Sequence, residues 1–74
     1  MQWLVKSVKE AIRRGDWNAV VLFGAQLYGK TRTVDPVLAE TARDAVAMAL
    51  LLLEHPVFEC VSFMLSRVVI ERLG

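Results

Sequence analysis

Between Ala45 and Ile70 the chain is apolar almost without interruption, and a single proline, Pro56, falls in the middle. The nine-residue run Ala45-Val46-Ala47-Met48-Ala49-Leu50-Leu51-Leu52-Leu53 comes first. After Glu54-His55-Pro56 the apolar character resumes with Val57-Phe58 and continues through Val61, Phe63-Met64-Leu65 and Val68-Val69-Ile70. Proline pushes the residue before it out of helical geometry, so a helix through the run ends or kinks at His55. A chain of this length removes only about 60% of its unfolded surface from water when it folds alone. The two segments carry more apolar side chain than one copy can cover. The surplus calls for another copy, a partner protein or a lipid surface.

The 74 residues make one domain with a thin core, and its stability is marginal unless chains associate. A composition that is 55% hydrophobic and 23% charged excludes intrinsic disorder. Cys60 is the only cysteine, so no internal disulfide forms and the chain does not resemble a secreted disulfide scaffold. Its apolar context predicts a buried, inert thiol, and the expected compartment is the cytoplasm. The charged first fourteen residues and the short Ala19–Ala25 run do not form a targeting signal. A membrane-spanning helix needs about 18 consecutive apolar residues. Arg43-Asp44 and Glu54-His55-Pro56 bracket the long run well short of that, so spanning is not expected, while contact with a membrane surface stays open.

Periodicity predicts four helices in two hairpins. Leu4, Val5, Val8, Ala11 and Ile12 form one apolar stripe over residues 2–14, with Lys6, Lys9, Glu10, Arg13 and Arg14 on the other side. Gly15 supplies a left-handed stop and Asp16 a cap for the next helix. The second helix is predicted over Trp17–Tyr28, closed by Gly29. It is expected to be buried on most sides, with Gly24 admitting a neighbouring helix, although Ala19–Phe23 also suits a short buried strand. Lys30–Val34 form a loop. Asp35-Pro36 then opens a third helix reaching Glu54, which is apolar all round beyond Asp44. The fourth is predicted over Pro56–Leu73, at the centre of the assembly, with Arg67 and Glu71 placed to pair. Gly15-Asp16-Trp17 followed by Ala19 resembles the inter-helix turn of a tetratricopeptide hairpin. Ser7 and Val8 stand where that family has Leu-Gly and Ala11 where it has an aromatic, so no property of the family is carried over.

Gly24-Ala25-Gln26-Leu27-Tyr28-Gly29-Lys30-Thr31 matches the phosphate-loop pattern G-x-x-x-x-G-K-[ST]. In such a loop backbone amides cradle the phosphates, the lysine reaches the terminal ones and the threonine holds magnesium, which makes Gly24, Gly29, Lys30 and Thr31 the candidate phosphate ligands. Pro36 breaks the helix that must follow, and a chain this short cannot build the parallel sheet such folds require. Charge is split along the chain. Through Arg32 six basic residues (Lys6, Lys9, Arg13, Arg14, Lys30 and Arg32) stand against two acids, a balance of +4; from Thr33 onward the balance is −3. The six basic residues are the candidate contacts to nucleic-acid phosphates, although Glu10 interrupts them and no polar recognition helix follows. His55, the only histidine, has no partner at metal-ligand spacing. No catalytic triad or carboxylate dyad is legible.

The sequence therefore predicts a small all-α four-helix bundle whose core is completed by oligomerisation, most simply a homodimer. The expected interface is Val46, Met48, Leu50, Leu51, Leu52, Leu53, Phe58, Val61, Phe63, Met64, Leu65 and Val68. The expected function is non-catalytic, without cofactor or metal: an interaction module that binds itself and another macromolecule as adaptor, regulator or inhibitor. Nucleic-acid backbone binding through the first helix is the main alternative, and nucleotide binding at Gly24–Thr31 the second.

Overall fold

The computed structural model describes residues 2–74, and among them there are helices and turns but no strand. Helix α1 is Gln2–Arg14, α2 Trp17–Thr31 and α3 Pro36–Glu54. The last helix, α4, starts as Glu59–Met64, widens into a π-helical stretch over Leu65–Val69 and finishes as Ile70–Leu73. The molecule is elongated, 35 × 19 × 17 Å.

Two residues turn α1 into α2. Gly15 takes φ +69°, its N–H donates to the Ile12 carbonyl at 3.1 Å, and the Asp16 N–H donates to the Ala11 carbonyl at 2.9 Å. This pair of bonds is a Schellman closure, which favours glycine because a side chain is strained at that φ. Asp16 then accepts from the Ala19 N–H at 3.2 Å and caps α2. Asp35 does the same for α3 by accepting from the Leu38 N–H, with Pro36 as first helical residue.

Two boundaries differ from expectation. Helix α2 runs through Gly29 and Lys30 to Thr31, so the loop is Arg32–Asp35. Gly29 stays right-handed, and the buried Thr31 hydroxyl donates to the Leu27 carbonyl at 2.7 Å, tying the last turn down. Helix α4 begins at Glu59 rather than Pro56. His55 ends α3 by donating to the Leu51 carbonyl, the Phe58 N–H closes a turn on His55, and their rings lie 5.4 Å apart. The turn therefore consumes the first three residues assigned to the helix.

Helices α2 and α3 pack closest. A Cβ placed on Gly24 would stand 2.7 Å from Cγ2 of Val46 and 3.6 Å from the Ala42 carbonyl oxygen. Most of the α3 residues buried in this core are small: Ala39, Ala42, Ala45 and Ala49, with Leu52 the one large side chain. Leu4, Val8, Ala11 and Ile12 of α1, Val20 and Leu27 of α2, and Leu65, Val69 and Leu73 of α4 complete it. Helix α2 is not buried on most sides. It buries a single stripe of Val20, Gly24, Leu27 and Thr31, and Leu22 is 57% exposed. Within the single chain, the Glu59–Met64 part of α4 contributes no buried residue.

The π turn has a geometric cause. The residues that α4 places inward (Val61 partly, then Leu65, Val69 and Leu73) recur every fourth position. At 3.6 residues per turn, a stripe with that spacing rotates away by about 40° per step. Widening the helix over Leu65–Val69 takes up the drift and holds the stripe against α3 and α1.

The Gly24 contact yields a prediction. Alanine there raises helix propensity by about 1 kcal/mol, but overpacking against a branched, short side chain costs about 1–3 kcal/mol. Gly24→Ala should lower the urea midpoint, and adding Val46→Ala should recover part of the loss. A Gly24→Ala variant at least as stable as the parent would contradict the tight seam.

Candidate interaction surface

With alanines filling the inner side of α3, its large residues point outward. Leu50 is 48% exposed, and Leu51 and Leu53 are exposed as well. On α4 the inward stripe leaves Phe63 (61%), Met64 and Val68 in solvent. Val57 (80%) and Phe58 project from the turn between them. Among the described residues, eight of the thirteen exposed large hydrophobic residues belong to this one hairpin. The rest, among them Trp3, Leu22, Val34 and Val37, are dispersed over α1, α2, the loop that follows it and the start of α3, as on ordinary protein surfaces.

The expected interface therefore divides. Leu50, Leu51, Leu53, Phe58, Phe63, Met64 and Val68 are exposed. Leu52 and Leu65 are almost wholly enclosed by their own chain and drop out, because the inward stripes of α3 and α4 meet there. Val46, Met48 and Val61 are partly buried, Val46 against Gly24. Val57 was missed; its place beside Pro56 in a turn was the available signal. Cys60, expected buried, is exposed, since the first turns of α4 have no neighbour on that side. Arg67 does not pair with Glu71. Its guanidinium lies 5.5 Å from the centre of the Phe63 ring.

The basic residues do not converge on one strip. Lys6, Lys9 and Arg13 line a groove with Val5, Leu38 and Leu73, and Glu10 lies in the same groove. Lys9 Nζ is engaged with the Gly74 carbonyl at 2.6 Å. Arg14 stands 4.0 Å from both Glu10 and Asp16. Arg32 borders a different depression, beside Tyr28, Glu40 and Arg43, while Lys30 is exposed on the last turn of α2.

The phosphate-loop match is not a loop. Gly24 through Thr31 are consecutive turns of α2. Their amides serve the helix, Gly24 faces Val46, and the Thr31 hydroxyl is buried on Leu27. No concave amide cradle exists, and Gly24, Gly29, Lys30 and Thr31 do not come together around a common point. The match arose because a helix-packing glycine, a tolerated second glycine and a polar helix end happen to share the pattern's spacing.

Among the described residues no group of three or more His, Cys, Asp or Glu side chains could hold a metal ion. No buried side-chain nitrogen or oxygen there lacks a hydrogen bond. No described helix is long and apolar enough to cross a membrane. No known protein family, curated protein or solved structure matches the chain.

A helical Gly24–Thr31 segment makes a direct prediction about nucleotides. Millimolar ATP with magnesium should leave the melting temperature unchanged, and Lys30→Ala should melt close to the parent. A saturable rise in melting temperature that Lys30→Ala abolished would contradict the helical assignment.

Proposed function

We propose that the chain is a non-catalytic interaction module that self-associates through the exposed face of its C-terminal hairpin, and so presents a shared surface to another macromolecule. One observation supports this above all. Leu50, Leu51, Leu53, Val57, Phe58, Phe63, Met64 and Val68 stay in solvent in the single chain, while Ala39, Ala42, Ala45 and Ala49 occupy most of the α3 side of the core. A sequence suited to life as a monomer places large side chains inside and small ones outside. Concentrated exposed apolar surface marks interaction sites.

Magnitudes shape the proposal. Covering a half-exposed leucine or phenylalanine gains about 1 kcal/mol. Joining two chains costs about 4–15 kcal/mol in lost freedom. A dimer therefore needs most of this hairpin face from both copies, and a charge placed in its middle is decisive. Phosphate-backbone binding through α1 has weaker support, because Lys9 is engaged with Gly74, Arg14 lies beside two carboxylates, and Arg32 lies elsewhere.

Light scattering after size exclusion tests the proposal. The parent chain should elute above its monomer mass of 8.3 kDa. Phe63→Glu, at an exposed position that the core does not use, should keep its helical circular dichroism and elute as a monomer. A parent chain that is monomeric at every accessible concentration would defeat the proposal.

A further inference from the structure

The exposed face of α4 is charged as well as apolar, and the order of its charges specifies an arrangement. Glu59, Phe63 and Arg67 follow one another at intervals of four along the side opposite Leu65 and Val69, and all three are exposed. Phe63 is the most exposed large hydrophobic side chain on α4, with an acid one turn before it and a base one turn after it. Among the described residues neither charge has an ion-pair partner: no carboxylate lies within ion-pair distance of Arg67, no cation lies so close to Glu59, and the two ion pairs both belong to Arg14. Arg67 rests over the Phe63 ring, so its charge is held at this face.

From this we infer that the partner is a second copy, seated antiparallel with its α4 against this α4 and the two-fold axis passing through Phe63. The inference rests on the self-association proposed above and adds its geometry. A two-fold axis makes every contact reciprocal. Glu59 and Arg67 sit about 6 Å along the helix on either side of Phe63. In the antiparallel pair Glu59 of each copy comes level with Arg67 of the other, giving two equivalent ion pairs around a central aromatic contact. A parallel pair in register would instead set Glu59 against Glu59 and Arg67 against Arg67, with like charges repelling at both ends. Charge order therefore selects direction as well as partner.

Charge reversal tests the arrangement, because the predicted pattern is unusual. Glu59→Arg sets arginine against Arg67 at both ends of the pair, and Arg67→Glu sets glutamate against Glu59. Each single variant should weaken self-association about tenfold or more at low salt, since two attractions become two repulsions. The doubly reversed Glu59→Arg/Arg67→Glu chain should return to parental affinity. Mixing the two single variants should produce a heterodimer about as tight as the parent, readable by native mass spectrometry with one variant isotopically labelled. These differences should shrink in 1 M salt. Single variants that associate like the parent, or a mixture that forms no heterodimer, would overturn the antiparallel arrangement while leaving self-association standing. A parent chain that stays monomeric in buffer, or that leaves solution for phosphatidylcholine vesicles, would overturn self-association itself, and this arrangement with it.

Discussion

The close approach of α2 and α3 determines most of what else the molecule does. Gly24 has no side chain where Val46 arrives, and alanines at 39, 42, 45 and 49 let the rest of α3 settle against its neighbours. Backbones that near each other gain dispersion contacts along their whole length. They also leave little interior volume. The α3 side of the core is mostly alanine, and the leucine run at the end of α3 contributes one residue, Leu52, to the interior and presents the others outward.

That displacement links fold to the proposed function. Helix α4 covers the remaining open side of the bundle with a single stripe, held in line by its π turn, and its opposite side faces water. The outward leucines of α3 and the outward aromatic and sulfur-bearing side chains of α4 lie on the two arms of one hairpin, joined by the apolar turn at Val57 and Phe58. Helix α4 also has the least local support, since Glu59–Met64 has no buried residue and no side-chain cap. Its first turns gain the most from a partner, both in covered area and in stability.

Much of this architecture was legible in the residues. The Gly15-Asp16 and Asp35-Pro36 pairs marked helix boundaries because their backbone chemistry is local, and both turned out as sequence rules require. The alternation of apolar and polar positions gave α1 its buried stripe correctly. Depth of burial was harder to see. Helix α2 looks enclosed on composition, yet it fully buries only one stripe, where α1 and α3 meet it, and no count of apolar residues says how much of a helix its neighbours will cover. The same gap buried Cys60 in expectation, when it is exposed. The site was legible as a segment but not as a face. Leu52 and Leu65 could be separated from Leu51 and Met64 only once the inward stripes were known, and the every-fourth spacing along α4 makes a straight stripe only through a π turn that local propensity does not announce. The phosphate-loop match shows the converse: a short pattern carries chemistry only where the backbone is free to form a loop.

The claim that a single chain leaves its C-terminal hairpin uncovered, for a second copy to cover, is tested most directly by amide hydrogen exchange as a function of protein concentration. Amides of Glu59–Met64 should exchange fast in dilute solution and slow progressively as concentration rises, while those between Val20 and Leu27 stay protected throughout. Exchange at Glu59–Met64 that is fast and independent of concentration up to the millimolar range would contradict the account.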